Sequence, residues 1–247
     1  RLSDTTDTLE LWLKVQLAWG NLESVFLSGD IARQLPREAK KFSKIDKDWQ
    51  KIMAKAQETA IATEATKNEL LRTSLPLMYN DLESCQKSLE GYLEQKRNKF
   101  PRFYFCSNPV LLQILSQGSD PESMQQFYEK VFDAIQVVVH DKKDKSIIHT
   151  MKSRISRFEE IIPFTQPVYA RGNVEEWLNT LLMEMRRTMK EWGRNCAEEV
   201  FEVSVGQSLR DFVDKQNGQF SLLGIQLMWT QDQTEAMEVC MRNKNAM

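Results

Sequence analysis

Glycine and proline are both scarce, at 9 and 7 of 247 residues, as a mainly helical chain with few tight turns requires. Charge of one sign is missing as well. The 33 basic and 35 acidic residues leave a net charge of −2, so no bulk asymmetry points to nucleic acid or an anionic membrane. The four cysteines, Cys85, Cys106, Cys196 and Cys240, are far apart and form no CxxC pair. That spacing argues against structural zinc or a disulfide framework, and reduced, mostly buried thiols of an intracellular protein are expected. No apolar run approaches the roughly 20 residues that span a bilayer. The chain opens at Arg1 without an initiator methionine or a signal-peptide core, so a piece of something longer is expected.

Catalytic signatures are equally sparse. The phosphate loop GxxxxGKS/T, the dinucleotide turn GxGxxG, and the GxSxG and HExxH motifs do not occur, so the sequence assigns no catalytic, cofactor-binding or metal residue. The only histidines, His140 and His149, lie nine residues apart. Metal ligation would need carboxylate or thiol partners at suitable spacing, and ordinary surface histidines need none. Glu159-Glu160, Glu175-Glu176 and Glu198-Glu199 are adjacent carboxylates. Neighbours on a helix do not face one another, so solvated faces are expected rather than acid/base couples. Two basic clusters remain, Lys40, Lys41, Lys44 and Lys47 around Phe42 and Ile45, and Lys96, Arg97, Lys99 and Arg102. Nucleic-acid binding would require such charges to line one groove with stacking rings. Here acidic residues interleave and the rings read as core. Cations at the end of a helix also complement its dipole, and they could equally meet an acidic partner surface.

What the chain does possess is amphipathic helix. Leu75, Met78, Leu82, Cys85, Leu89 and Tyr92 recur at steps of three and four, placing one apolar stripe on a single helix face. Asp81, Lys87, Glu90, Glu94 and Lys96 occupy the other face. Pro101 pushes Phe100 out of the α region, so this rod of about 35 Å at ~1.5 Å per residue should stop near Asn98. Phe103, Tyr104 and Phe105 then read as an extended aromatic segment covered on both faces, a packed foot for the rod.

Upstream, Trp12, Val15, Trp19, Leu22 and Phe26 mark a first helix that Gly29 is placed to end. Short helices from Asp30 and from Pro36 follow. A further helix carries Ile45, Trp49, Ile52 and Met53, with Ser43 or Asp46 as its cap, and Thr59 to Thr66 form a loose connection. Downstream, Asn108-Pro109 starts a helix ending at Gly118, and Asp120-Pro121-Glu122 starts another burying Met124, Phe127, Val131 and Ile135. The helical pattern breaks between Val137 and Gly172, where β-branched clusters at 137–139, 147–148 and 161–162 suit a small hairpin or ribbon. Pro163 and Pro167 keep the chain extended, and Asn173 with Glu176 forms a capping box that restarts the helix. Trp177, Leu181, Met185 and Trp192 trace a stripe on a helix reaching about Val200, and a last helix carries Leu223, Leu227 and Trp229. The expected fold is mainly α, an elongated array of helix bundles with a small β hairpin or ribbon insert. Three parts are expected: 1–100 helical, 101–172 with the aromatic strand, short helices and ribbon, and 173–247 helical.

The run CQKSLEGYLEQKRNKFPRFYFCSNPVLLQILSQGSDP resembles the N-terminal linker region of dynein heavy chains. GDIARQLPREAKKFSKIDKDWQKIM, GNVEEWL and LLGIQLMWTQDQTEAM match the same region in order. FLSGDIARQLPREAKKF is most similar to axonemal chains of the γ outer-arm type. One departure is IIHTMKSRISRFEEIIPF, which lacks the glycine of the family's EGE-type hairpin near Arg154 to Glu160. The resemblance implies a mechanical lever that lies across an AAA+ ring of the same heavy chain and couples its ATP-driven cycle to a power stroke along microtubules. It implies ATP, ADP and Mg²⁺ at the ring and none in this segment, which leads toward the ring at its C-terminal end. Other dynein subunits and microtubules are the partners of the full motor, with no nucleic acid and no membrane. The implied location is the cytoskeleton of the cytoplasm, in the axoneme of a cilium or flagellum. Joints are expected at Phe100 to Asn108 and Pro163 to Asn173. From residue physics alone, a helical adaptor or tail bundle that scaffolds other subunits is the alternative, and a stand-alone enzyme comes last.

Overall fold

The computed structural model describes residues 2–27, 30–59, 61–118, 120–133, 135–155, 158–203 and 206–244. It divides into two compact units, Arg1–Val131 with Asn173–Glu175, and Phe132–Gly172 with Glu176–Met247. The fold is mainly α with one small three-stranded antiparallel sheet.

In the first unit, α1 (Leu2–Leu27), α3 (Pro36–Glu58) and α5 (Glu69–Lys99) pack against one another. Periodicity explains the seam. Val15, Leu22 and Phe26 of α1, Phe42, Ile45 and Trp49 of α3, and Leu75, Met78, Leu82, Cys85 and Leu89 of α5 are all buried. Each fully buried apolar side chain contributes roughly 1.5–3 kcal/mol relative to exposure. Aromatic pairs fix the register: Phe26 stacks on Phe42 at 5.5 Å, and Trp12 meets Trp49 edge-on at 6.5 Å. Trp19 donates its indole N–H to Asp46 at 3.0 Å.

Several boundaries differ from the sequence reading. After α2 (Asp30–Gln34), α3 runs unbroken from Pro36, so Ser43 and Asp46 are interior residues rather than caps. Asp46 instead accepts from Trp19 and from Gln50. The connection at 59–66 contains a further short helix, α4 (Ala62–Ala65). Helix α5 starts two turns earlier than expected and carries Pro76 inside it. Its 31 residues make it about 46 Å long at ~1.5 Å per residue. Gly29, expected to end the first helix, lies outside the described residues.

Pro101–Phe105 is a 3-10 turn and not an extended strand. Phe103 is fully buried and sits edge-on to Phe100 at 5.0 Å, whereas Tyr104 is 53% and Phe105 78% exposed. A 3-10 turn sends three successive side chains in three directions, so the aromatic foot rests on Phe100 and Phe103 alone. Helix α6 (Asn108–Gln117) ends at Gly118, whose added Cβ would fall 2.7 Å from Val174. A second 3-10 turn, Ser123–Phe127, leads into α7 (Tyr128–Val131) and buries Met124, Phe127 and Val131. All four cysteines are free, with Cys240 exposed and the other three buried.

In the second unit, β1 (Val137–His140), β2 (Ile147–Ile155) and β3 (Phe158–Tyr169) form the sheet in the order β1-β2-β3. The register shifts after Val139 and again between Ile148 and Thr150. Val138, Ile148, Met151, Ile162 and Val168 point inward, while Val137, Val139 and Ile161 are exposed, the alternation of a sheet covered on one face. Residues 156–157, the turn expected to lack the family's glycine, lie outside the described residues. Pro163 and Pro167 sit within β3, an edge strand where a missing N–H is tolerated. Helix α8 (Val174–Val200) serves its free edge: Thr188 Oγ1 and Glu184 Oε1 accept the backbone N–H groups of Thr165 and Gln166 at 3.1 and 2.8 Å. An unexpected helix, α9 (Gln207–Lys215), precedes α10 (Gly218–Lys244). α10 buries Phe220 and packs Gly224 against the Phe212 ring of α9. Leu223 and Trp229 lie on α10 as expected and are exposed, 38% and 63%.

Candidate functional site

The densest charge arrangement lies in the first unit, where α5 ends. Four cations crowd its last turn and the 3-10 turn beyond, as the helix dipole favours, yet each is engaged internally. Lys96 Nζ reaches Glu175 Oε1 at 2.5 Å, and Lys99 Nζ reaches the same oxygen at 3.5 Å. Arg97 donates to the Cys106 carbonyl at 3.2 Å and to Asn108 Oδ1 at 2.7 Å. Arg102 donates to the Val131 carbonyl at 3.2 Å. Cations aimed at carbonyls and a buried carboxylate are not offered to phosphates.

Glu175 corrects the sequence reading of its pair as a solvated face. Its side chain is 1% exposed, and a lone carboxylate so deep would be neutralised or expelled. Burial pushes its pKa up, but the Lys96 hydrogen bond, its backbone bond and the charges of Lys96 and Lys99 outweigh that and hold it below 4.5. Its Oε2 has no hydrogen-bond partner among the described residues. Lys96, assigned to the polar face, has a side chain only 13% exposed and lies 5.4 Å from the centre of the Tyr92 ring. Burial, with Glu175 nearby, raises the Tyr92 hydroxyl to about 12. Tyr104 donates to Glu94 at 2.5 Å and lies 3.1 Å from Asn98. The end of α5, the 3-10 turn and the first turn of α8 are thereby bolted together.

The other residues singled out by sequence are not brought to this place. His149 Nε2 lies 3.3 Å from Asp141 Oδ2 on a half-exposed hairpin, and His140 ends β1. Asp141 is lowered chiefly by the backbone N–H groups of Lys143 and Asp144. Glu160 caps the backbone N–H of Gly218 at 2.8 Å, and Glu199 accepts from Lys215 at 2.6 Å and Gln216 at 2.8 Å. Lys41 pairs with Asp81 at 2.7 Å, while Phe42 and Ile45 between the lysines are core. Gly172, at φ 81°, turns the chain toward α8 just after β3. Glu175 and Glu176 stand in the first turn of that helix, and carboxylates there repel the phosphate that such a turn otherwise attracts. No described helix is long and apolar enough to cross a membrane. The arrangement fixes backbone segments against one another through buried charge and aromatic packing.

A family profile described as dynein heavy chain, N-terminal region 2, matches residues 1–196. Dynein axonemal heavy chain 5 of Rattus norvegicus is 45% identical over 248 residues, covering 100% of this chain and 7% of the relative. Dynein axonemal heavy chain 5 of Mus musculus is 45% identical, again over 100% of this chain and 5% of the relative. The dynein gamma chain of the flagellar outer arm of Chlamydomonas reinhardtii is 40% identical over 249 residues, with 100% and 5% covered. The chain thus spans only a small part of the length of these relatives.

Proposed function

Because the chain belongs to the dynein heavy-chain family, in its N-terminal region, we propose that it is a lever segment of an axonemal motor. In this reading it transmits the ATP-driven cycle of an AAA+ ring, carried elsewhere on the heavy chain, into a power stroke along microtubules. The ring binds ATP, ADP and Mg²⁺, and this segment moves force without binding nucleotide. The motor works in the axoneme of a cilium or flagellum with other dynein subunits.

One observation carries the proposal: a 31-residue helix ends in a joint where Lys96, Arg97 and Arg102 are held by internal partners. A lever must resist bending along its rods and concentrate motion at few places. Helix α5 carries the kink-prone Pro76 near its start, and beyond it the buried Met78, Leu82, Cys85 and Leu89 hold the rest of the helix on one packed face and supply the stiffness. The Phe100–Phe103 turn and the buried Glu175 fasten its end. The test is to interrupt α5 after Gly91 with a short glycine-serine segment in the full-length heavy chain. ATP hydrolysis should persist and microtubule gliding should be lost, whereas undiminished gliding would reject the lever role.

A further inference from the structure

Helix α3 turns one side to the core and leaves the opposite side to solvent, and the joint at the end of α5 makes no use of that outer side. Phe42, Ile45 and Trp49 are its buried residues. Opposite them stand Arg37, Lys40, Lys44, Lys47, Lys51 and Lys55, all exposed. They recur in steps of three and four, which at about 100° per residue gathers them within an arc of roughly 80°. From Arg37 to Lys55 the row is about 27 Å long at ~1.5 Å per residue.

The carboxylates that interleave with these cations in the sequence keep clear of most of that arc. Asp46 is turned to α1, where it accepts from Trp19, and Glu38 is half-buried. Asp48, at the edge of the arc, pairs with Lys51 at 3.5 Å, and Glu58 shares the arc only at the last residue of the helix. Asp81 and Glu64, on neighbouring helices, are taken by Lys41 and Lys67. Arg37, Lys40, Lys44, Lys47 and Lys55 make no ion pair among the described residues. Like charges three and four residues apart repel along a helix. Other exposed helix cations are matched at that spacing, Lys87 by Glu83 and Arg242 by Glu238, whereas on α3 five successive steps join like charges.

We propose that the outer face of α3 binds an acidic segment, rich in Asp and Glu, of a separate polypeptide. The sign of the charge selects it, because carboxylates placed along the row relieve each of the repulsive steps. A row of one sign also steers diffusional encounter. That is a gain for a separate molecule and of little use to a segment of the same chain, which its linkage already holds at high effective concentration. Nucleic acid is the poorer fit, since the two rings of α3, Phe42 and Trp49, are buried and neither is left for bases to stack on. This inference is independent of the lever role.

The experiment uses the full heavy chain purified with its native subunits, with a photoreactive residue in place of the exposed Ser43, which stands beside the row. The probe is a fluorescent poly-L-glutamate peptide of about 20 residues, long enough as a helix to span the row. The expected result is an adduct between position 43 and the peptide, with a yield that falls as salt is raised. The triple variant Lys40→Glu/Lys44→Glu/Lys47→Glu should lower that yield by about tenfold, because like charges then face each other, and Lys40→Arg/Lys44→Arg/Lys47→Arg should retain it. All three lysines are exposed, so circular dichroism of the variants should be unchanged. No peptide adduct, an adduct to the heavy chain itself in its place, a yield indifferent to charge reversal, or an equal yield with an oligodeoxythymidine of matched charge would each overturn the proposal.

Discussion

Removing the Lys96 ammonium leaves a carboxylate 1% exposed with only the more distant Lys99 to balance it. Lys96→Met should therefore destabilise the chain by about 3–5 kcal/mol, the cost of breaking a buried pair from one side, read from denaturant unfolding. Glu175 is held below 4.5 when folded, so near that pH the unfolded chain binds more protons. Its contribution is present above pH 4.5 and is lost as pH falls through the folded value. Glu175→Gln should flatten that acid limb, and an unchanged limb would show that Glu175 is not the titrating group. Phe103→Ala should cost about 3–5 kcal/mol because the ring is fully buried. Phe105→Ala should stay within about 0.5 kcal/mol, its ring being 78% exposed. Sequence alone treats those two rings alike and treats Glu175 like Glu176. Burial of Glu175 is decided by lysines 79 and 76 residues away, a relation that no local pattern carries.

At the scale of elements, the stripes on α1 and α5 and the β-branched clusters were readable because burial repeats with the period of the backbone. What escaped was set by local competition. Helix α3 runs through Ser43 and Asp46 because Phe42, Ile45 and Trp49 bury one continuous face, and tertiary packing outweighs capping preference. Helix α9 is short and has Phe212 as its buried anchor, too little periodicity to stand out. Two helical glycines separate propensity from packing. At Gly91 of α5 an added Cβ meets nothing within 4 Å, so Gly91→Ala should stabilise by up to about 1 kcal/mol. At Gly224 of α10 it would lie 2.6 Å from the Phe212 ring, and Gly224→Ala should lose about 1–3 kcal/mol to overpacking despite the better helix former. Thermal melts of the two variants should move in opposite directions.

For the molecule as a whole, neither near-neutral charge nor helical periodicity names a function, and the family entered through ordered similarity along the chain. The candidate site was half legible. The cations at the end of α5 stood in plain view, but their inward targets are carbonyls and one carboxylate supplied by other parts of the fold. Periodicity foretold the rod of α5 but missed its first turns, where Leu71 is the buried residue ahead of the stripe that starts at Leu75. A lever account requires that rod to be stiff while the motor works. The direct measurement is microtubule gliding velocity alongside ATP hydrolysis for the full heavy chain with α5 interrupted after Gly91. The account predicts continued hydrolysis with gliding abolished, and gliding at the unmodified speed would contradict it.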